Sequence, residues 1–345
     1  MERSAGGRQP IKATRLGRPT ISEVAAMAGV SKTTVSHVLS GRRPVAQATR
    51  ARVEEAIAEL GFRPDGLARS LRLRRSHTVA LIIPDITNPF FPVLARGLED
   101  ELSRSGYRTF ICNTDGERNQ ELEFAWEVFH RRVDGIAIVA LALEAADVAP
   151  LIELSMPFVS IGGHLDHASV DVVAPDDEQG AYDATMHLVR RGASRVAMIK
   201  GARGSGTDRV AGYRRALREA GLSNDGRLLV HGDWTRAGGA RALQLLLAAE
   251  EPPEGVFCAN DLMAIGALSV AREAGVAIPQ DLALVGYDDI DAAVLVHPSL
   301  TTVLNPAYET GAAAAQFLLD RMARGYEGER RRAVLPCQLI VRDSA

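Results

Sequence analysis

The sequence predicts an N-terminal all-α helix-turn-helix head followed by an α/β body of two doubly wound parallel-sheet lobes. Three observations predict it. Short, capped helical patterns crowd residues 20–64, the charge changes sign between head and body, and from residue 78 short apolar runs alternate with amphipathic stretches. A chain of 345 residues, 46% hydrophobic and 5% aromatic, holds two or three domains and buries its cores without disulfide staples.

Residues 1–75 carry 15 Lys and Arg against 6 Asp and Glu, a balance of +9, while the remainder carries 25 against 37, or −12. A cationic head concentrates polyanions and an acidic body repels them, so contact with nucleic acid is confined to one end. A solvated basic tail on a helical cap gives the same balance, so charge alone leaves both open. The apolar runs at 78–84 and 135–143 fall short of the roughly 18 residues of a spanning helix. The opening MERSAGGRQPIKATRLGRPT is basic and lacks the apolar centre of an export signal, which points to a cytoplasmic protein. Cys112, Cys258 and Cys337 lie far apart in apolar stretches and read as buried, inert thiols.

Residues 1–19 are Gly- and Arg-rich and read as a disordered basic arm. Thr20-Ile-Ser-Glu23 fits a capping box and starts the first helix, which carries Val24, Ala25 and Ala28 at helical spacing and ends at Gly29. Ser31 caps a second helix, Lys32 to Leu39. It turns Val35, Val38 and Leu39 inward and Lys32, Thr33, Ser36 and His37 outward. Hydrogen-bonding side chains in the first turns are what a major-groove reader needs, because base edges there present distinct donor and acceptor patterns. Gly41 ends this helix, and a third, Ala48 to Leu60, places Val53, Ile57 and Leu60 on one stripe before Gly61. A bland three-helix bundle would show the same periodicity.

The run TISEVAAMAGVSKTTVSHVLSGRRPVAQATRARVEEAIAELGFRPDGLARSL resembles the headpiece and hinge of the LacI/GalR family of bacterial transcription regulators. The resemblance rests on VAxxAGVSxxTVSxVL with the TR, GF, RP and ARSL elements at the family's spacing. It implies that Lys32, Thr33 and His37 touch bases and that Thr20, Ser31, Thr34, Ser36, Arg43 and Val45 belong to the same DNA-binding surface. Residues 20–64 are then the DNA-binding domain and residues 65–76 a hinge helix and linker. In the family two such hinges pair in the minor groove, with a leucine wedged between base steps. Leu71 matches that wedge, and Arg69 the neighbouring contact. Asp65 stands where the family usually has Asn. Arg72, Arg74 and Arg75 read either as phosphate contacts or as a solvated linker.

In the body, Val79 to Ile83, Thr109 to Cys112, Gly135 to Leu141, Phe158 to Ile161, Val196 to Ile199, Val256 to Ala259 and Leu282 to Tyr287 read as buried parallel strands. Helical patterns over 92–105, 120–131, 178–191, 210–219, 238–249 and 262–274 fill the gaps. Such alternation places ligands at the carboxyl ends of the strands. The resemblance extends from about Thr20 to Asp343 and implies a periplasmic-binding-protein-like body (type I) over 77–345. One lobe spans about 77–174 and 305–328, the other about 175–304 and 329–345.

The same resemblance places Phe90 and Phe91 on one wall of an effector cleft. It places Arg209 of Asp208-Arg-Val-Ala-Gly-Tyr213, Trp234 of Gly232-Asp-Trp234, Asn260 and Asp288 on the other. Chemically the set suits vicinal hydroxyls against an indole platform, and a nucleoside stacks there equally well. The Gly201–Gly206 loop fits no Walker or dinucleotide pattern, Ser205 lacks a nucleophile elbow, and His164, Asp166 and His167 read as a surface turn. No cofactor, metal or catalytic constellation is read, so an enzyme is not expected. The reading is a cytoplasmic, nucleoid-associated homodimer without membrane contact. It binds a pseudo-palindromic operator and answers to a small molecule, a sugar derivative or, alternatively, a nucleoside or purine. A solute-binding protein without a transcriptional role is the rival that shares the body. Because the chain stops just after its last strand with no heptad tail, a dimer is the expected limit.

Overall fold

The computed structural model describes residues 19–41, 43–62, 75–163, 165, 167–202, 206–323 and 328–345. The chain divides into two compact units between Ser76 and His77.

Among the described residues of the head there are three helices: α1 (Ile21–Met27), α2 (Lys32–Ser40) and α3 (Gln47–Leu60). The capping box forms as its residues dictate. The Glu23 amide donates to Thr20 Oγ1 at 3.4 Å and the Thr20 amide to Glu23 Oε2 at 2.6 Å, which satisfies two otherwise orphaned donors. Ser31 Oγ accepts from the Thr34 amide at 3.1 Å and starts α2. Gly41, at φ 64°, ends that helix in the left-handed conformation. Val24, Ala25, Ala28, Val35, Val38, Val53, Ala56 and Phe62 form the core. Leu39, expected inside, is 39% exposed, because it sits in the last turn of α2, past the final buried residue Val38.

The body opens with β1 (Thr78–Ile83), α4 (Phe90–Arg104), β2 (Arg108–Asn113), α5 (Arg118–His130), β3 (Gly135–Ile138), α6 (Ala145–Glu153), β4 (Phe158–Ile161) and β5 (Asp171–Pro175). The chain then crosses into a second lobe of α7 (Asp177–Arg190), β6 (Val196–Lys200), α8 (Thr207–Glu219), β7 (Leu229–His231), α9 (Arg236–Leu247), β8 (Gly255–Cys258), α10 (Asp261–Glu273), β9 (Ala283–Val285), α11 (Ala292–Leu295) and β10 (Thr302–Leu304). It returns through α12 (Ala307–Met322) and β11 (Arg332–Leu335) and ends with β12 (Gln338–Ile340), antiparallel to β10.

The first sheet runs β11-β5-β4-β3-β1-β2 and the second β7-β6-β8-β9, and every pairing within both is parallel. Strand β1 shows why its sequence is apolar throughout. Val79, Leu81 and Ile83 pack into one core, Ala80 and Ile82 into another on the opposite face. Helices α4 and α12 approach closely through glycines: a Cβ on Gly97 would lie 2.0 Å from the Tyr308 carbonyl oxygen, and one on Gly311 2.0 Å from that of Leu94.

Three differences from the sequence reading have physical reasons. The run 135–141 is a strand only to Ile138, because the amides of Leu141, Ala142 and Leu143 donate to the buried Glu121 carboxylate instead of to a neighbouring strand. Strand β11 pairs with β5, so residues 332–335 complete the first sheet, and the chain rejoins the second lobe after them rather than at 329. Of the cysteines only Cys258 is buried. Cys112 and Cys337 are half-buried, and Cys337 Sγ lies 3.3 Å from the Tyr287 hydroxyl.

Candidate functional site

Between the lobes of the body lies a cavity of about 510 Å³, reached by the carboxyl ends of strands from both sheets. Its first wall follows β1. Asp85 Oδ1 accepts from the Thr87 amide at 2.8 Å and Asn88 Oδ1 from the Phe90 amide at 3.1 Å. These short-range bonds turn the chain so that α4 begins with Phe90 and Phe91 facing the cavity, their rings edge to face at 5.3 Å.

The opposite wall is organised by Arg209, which is 8% exposed. Its Nε donates to Asp177 Oδ1 at 3.1 Å, one Nη lies 3.5 Å from Asp288 Oδ1 and the other donates to the Ala259 carbonyl. The guanidinium carbon lies 3.7 Å from the centre of the Tyr287 ring and 5.7 Å from that of Trp234. Burial opposes the charge, but Asp177 and then Asp288 outweigh it and hold Arg209 above its ordinary range, so it is a permanent cation. Burial pushes the Asp288 carboxyl up to about 6, against the pull of Arg209.

Trp234 lines the cavity from a left-handed backbone, φ 67°, that a bulky residue adopts only under constraint. Asn260 supplies part of that constraint. At 1% exposure it does not line the cavity; its Nδ2 donates to the Trp234 carbonyl at 2.9 Å and its Oδ1 caps α10 through the Met263 amide. Sequence reasoning assigned Asn260 to the ligand, whereas the structure makes it a positioning residue for the indole. Gly201 and Gly206 lie against that indole, and a Cβ on Gly201 would meet it at 1.9 Å.

Of the predicted cleft residues, Phe90, Phe91, Arg209, Trp234 and Asp288 line the cavity. Three further residues were not singled out. Asp177 binds both Arg209 and, at 2.8 Å, the Tyr287 hydroxyl. Asn305 joins Asp288 through Nδ2 at 3.1 Å. Asp261 is buried below the wall, where it accepts from Thr302 Oγ1 at 2.6 Å and from the Ile290 amide at 2.9 Å and so fixes the turn that carries Asp288. Nothing local distinguishes these residues, because their partners are remote in sequence.

In the head, Lys32 and Thr33 are exposed at the start of α2, and Thr34, Ser36 and His37 are half-buried. Thr20 and Ser31 are engaged as helix caps, Arg43 is exposed, and Val45 packs against the head core. Arg69, Leu71, Arg72 and Arg74 lie outside the described residues, as do Ser205, His164 and Asp166; His167 Nδ1 accepts from the Ser169 amide at 3.1 Å. No described helix is long and apolar enough to cross a membrane.

Residues 20–65 match the model of bacterial regulatory proteins of the lacI family, and residues 185–345 that of a periplasmic binding protein-like domain. The HTH-type transcriptional repressor PurR of Aliivibrio salmonicida is 33% identical over 94% of this chain and 98% of its own length. The HTH-type transcriptional repressor CytR of Escherichia coli K12 is 34% identical over 94% and 96%. Among solved structures, the complex of the transcriptional regulator CelR with cellobiose superposes with a TM-score of 0.72 at 34% identity, covering 95% of this chain and all of that one.

Proposed function

The chain belongs to the lacI family of bacterial regulatory proteins and is a DNA-binding transcription regulator, and from that premise we propose how it divides its work. The head, as one of a symmetric pair, reads half-sites of a pseudo-palindromic operator and represses. The cleft binds a sugar derivative, and its occupancy changes the operator affinity. The observation that carries this reading is the cavity itself. One permanent cation is held between two carboxylates beside an indole and two phenyl rings, an arrangement that offers polar anchors and stacking faces to a small ring molecule. In this reading the protein works in the cytoplasm on the nucleoid, as a binder and not a catalyst. A nucleoside is the second reading, favoured by the same stacking faces.

Coupling of about 1 to 3 kcal/mol would change operator affinity roughly 5- to 150-fold. Selection of genomic fragments by the purified protein, with and without cellobiose, ribose or adenosine, tests it. Preference for particular fragments, altered by one of these compounds, is expected; indifference to sequence under every condition would overturn it. In the same assay Leu71→Ala lowers affinity for the selected fragment and spares random duplex, because only the specific complex uses a wedge.

A further inference from the structure

Glu121 stands in the first turn of α5, where a negative charge suits the helix dipole, and it is fully buried. A buried carboxylate costs stability unless it is paired. Here three successive backbone amides take the place of a cation. Oε1 accepts from Leu141 at 2.9 Å, and Oε2 from Ala142 at 3.2 Å and Leu143 at 3.0 Å. These bonds fix the path of the chain beyond β3. The Val139 amide still donates to the Ile82 carbonyl at 2.9 Å; the chain then leaves the sheet, sends Leu143 into the core and brings Leu141 to the cavity. Leu141 stands there against the Asp115-Gly116 turn, which precedes α5 and also lines the cavity. A Cβ on Gly116 would lie 3.4 Å from Leu141 Cδ1. One carboxylate therefore ties the turn after β3 to the helix that follows the Asp115-Gly116 turn.

We infer that Glu121 is a positioning residue of the effector cleft, whose carboxylate sets how far Leu141 reaches into the cavity and so which ring sizes the first lobe admits. This rests on the reading of the cleft as an effector site. Glu121 itself does not line the cavity, so its effect reaches a ligand only through Leu141 and the residues beside it. The charge is needed as well as the volume. Glutamine has one acceptor oxygen, and its NH2 group would face amides that themselves donate, so at least one buried backbone N–H is stranded. A loop freed from the carboxylate carries Leu141 with it. A wall residue held loosely gives up contacts with a small ring and makes room for a larger one.

The test uses the full chain as native protein, Glu121→Gln, Leu141→Ala and the double variant. Hydrogen exchange follows the amides of residues 139–143, and calorimetry follows the binding of cellobiose, ribose and adenosine. In Glu121→Gln the amides of Leu141, Ala142 and Leu143 should exchange at least about tenfold faster, while that of Val139, bonded to the sheet, keeps its protection. The probe that binds the native chain most tightly should lose about tenfold on each single variant. The double variant should lose no more than the worse of the two, because Glu121 acts through Leu141. A carboxylate with a merely structural role would lower the melting temperature of both proteins that lack it and leave the two losses of affinity additive. Glu121→Asp, which keeps the charge but is one methylene too short to reach all three amides, repeats the comparison if the glutamine variant does not fold. Additive losses, protection retained in Glu121→Gln, or amides released with affinity unchanged would each overturn the assignment. Failure of all probes to bind, with operator selection intact, would instead overturn the effector reading beneath it, and the role of Glu121 with it.

Discussion

The head and the cleft collect their candidate contacts in opposite ways. In the head, Ser31, Lys32, Thr33, Thr34, Ser36 and His37 follow one another on α2 and its cap, over a core of eight buried residues. In the cleft, Phe90, Arg209, Trp234, Asp288 and Asn305 come from four strand ends and a crossover, and two of them, Trp234 and Asp288, stand at positive φ. A helix places its residues by local periodicity, so its recognition surface needs only that the helix form. A cleft wall is assembled from remote segments, and each position depends on residues such as Asn260 and Asp261 that do not line the cavity.

The sharpest test of this contrast is Arg209→Ala. The variant leaves the buried Asp288 and the half-buried Asp177 without their cation and should destabilise the body by about 3 kcal/mol in urea denaturation. It should also abolish the response to effector while the head still binds operator fragments. The reciprocal variant, Val53→Ala, removes two methyl groups from the small head core, a loss of about 2 kcal/mol. It should weaken operator binding and leave the cleft's melting shift with ligand unchanged. If either variant damages both regions equally, the two do not work as separable units.

Acidity should move the two regions in opposite directions. The folded-state pKa of Asp288, about 6, is raised above its ordinary 3.8, so its contribution to stability is full below the lower value and is lost as pH rises through the higher. Asp261, held well above the ordinary range by burial and by Asp288, acts in the same direction. Glu23 in the head is lowered by the Thr20 amide and hydroxyl, so its contribution is present above the ordinary 4.5 and fades as pH falls. Between pH 7 and 5 the body's stability should therefore rise relative to the head's, by at most about 1.4 kcal/mol per unit for each proton bound. Asp288→Asn should flatten part of that slope in melting curves taken across the range. Smallest of all, Thr20→Ala removes one cap and should cost the head about 1 kcal/mol, with no change in the body.

The misreadings follow the same division. The helical patterns read from the sequence omit α6, which contains Pro150, and α12, in which four alanines follow Gly311. Strand β11 alternates exposed and half-buried residues at a sheet edge and carries no continuous apolar run. Both departures are settled by packing: Gly311 lets α12 meet α4 backbone to backbone, and β5 supplies the partner that makes 332–335 a strand.

By itself the sequence determined what depends on near neighbours. Thr20 with Glu23, Ser31 with Thr34, the glycine stops and the apolar runs of β1 and β8 follow from bonds and periodicities spanning a few residues, and they suffice for the two-unit plan and its family. Tertiary structure alone decided which polar residues meet in the cleft. Asn260 and Asn305 are chemically identical, yet one is turned against the Trp234 carbonyl and the other against the Asp288 carboxylate. A hydrogen bond is set by atoms a few ångströms apart in space, and no local pattern in the chain records which distant segments the fold will bring together.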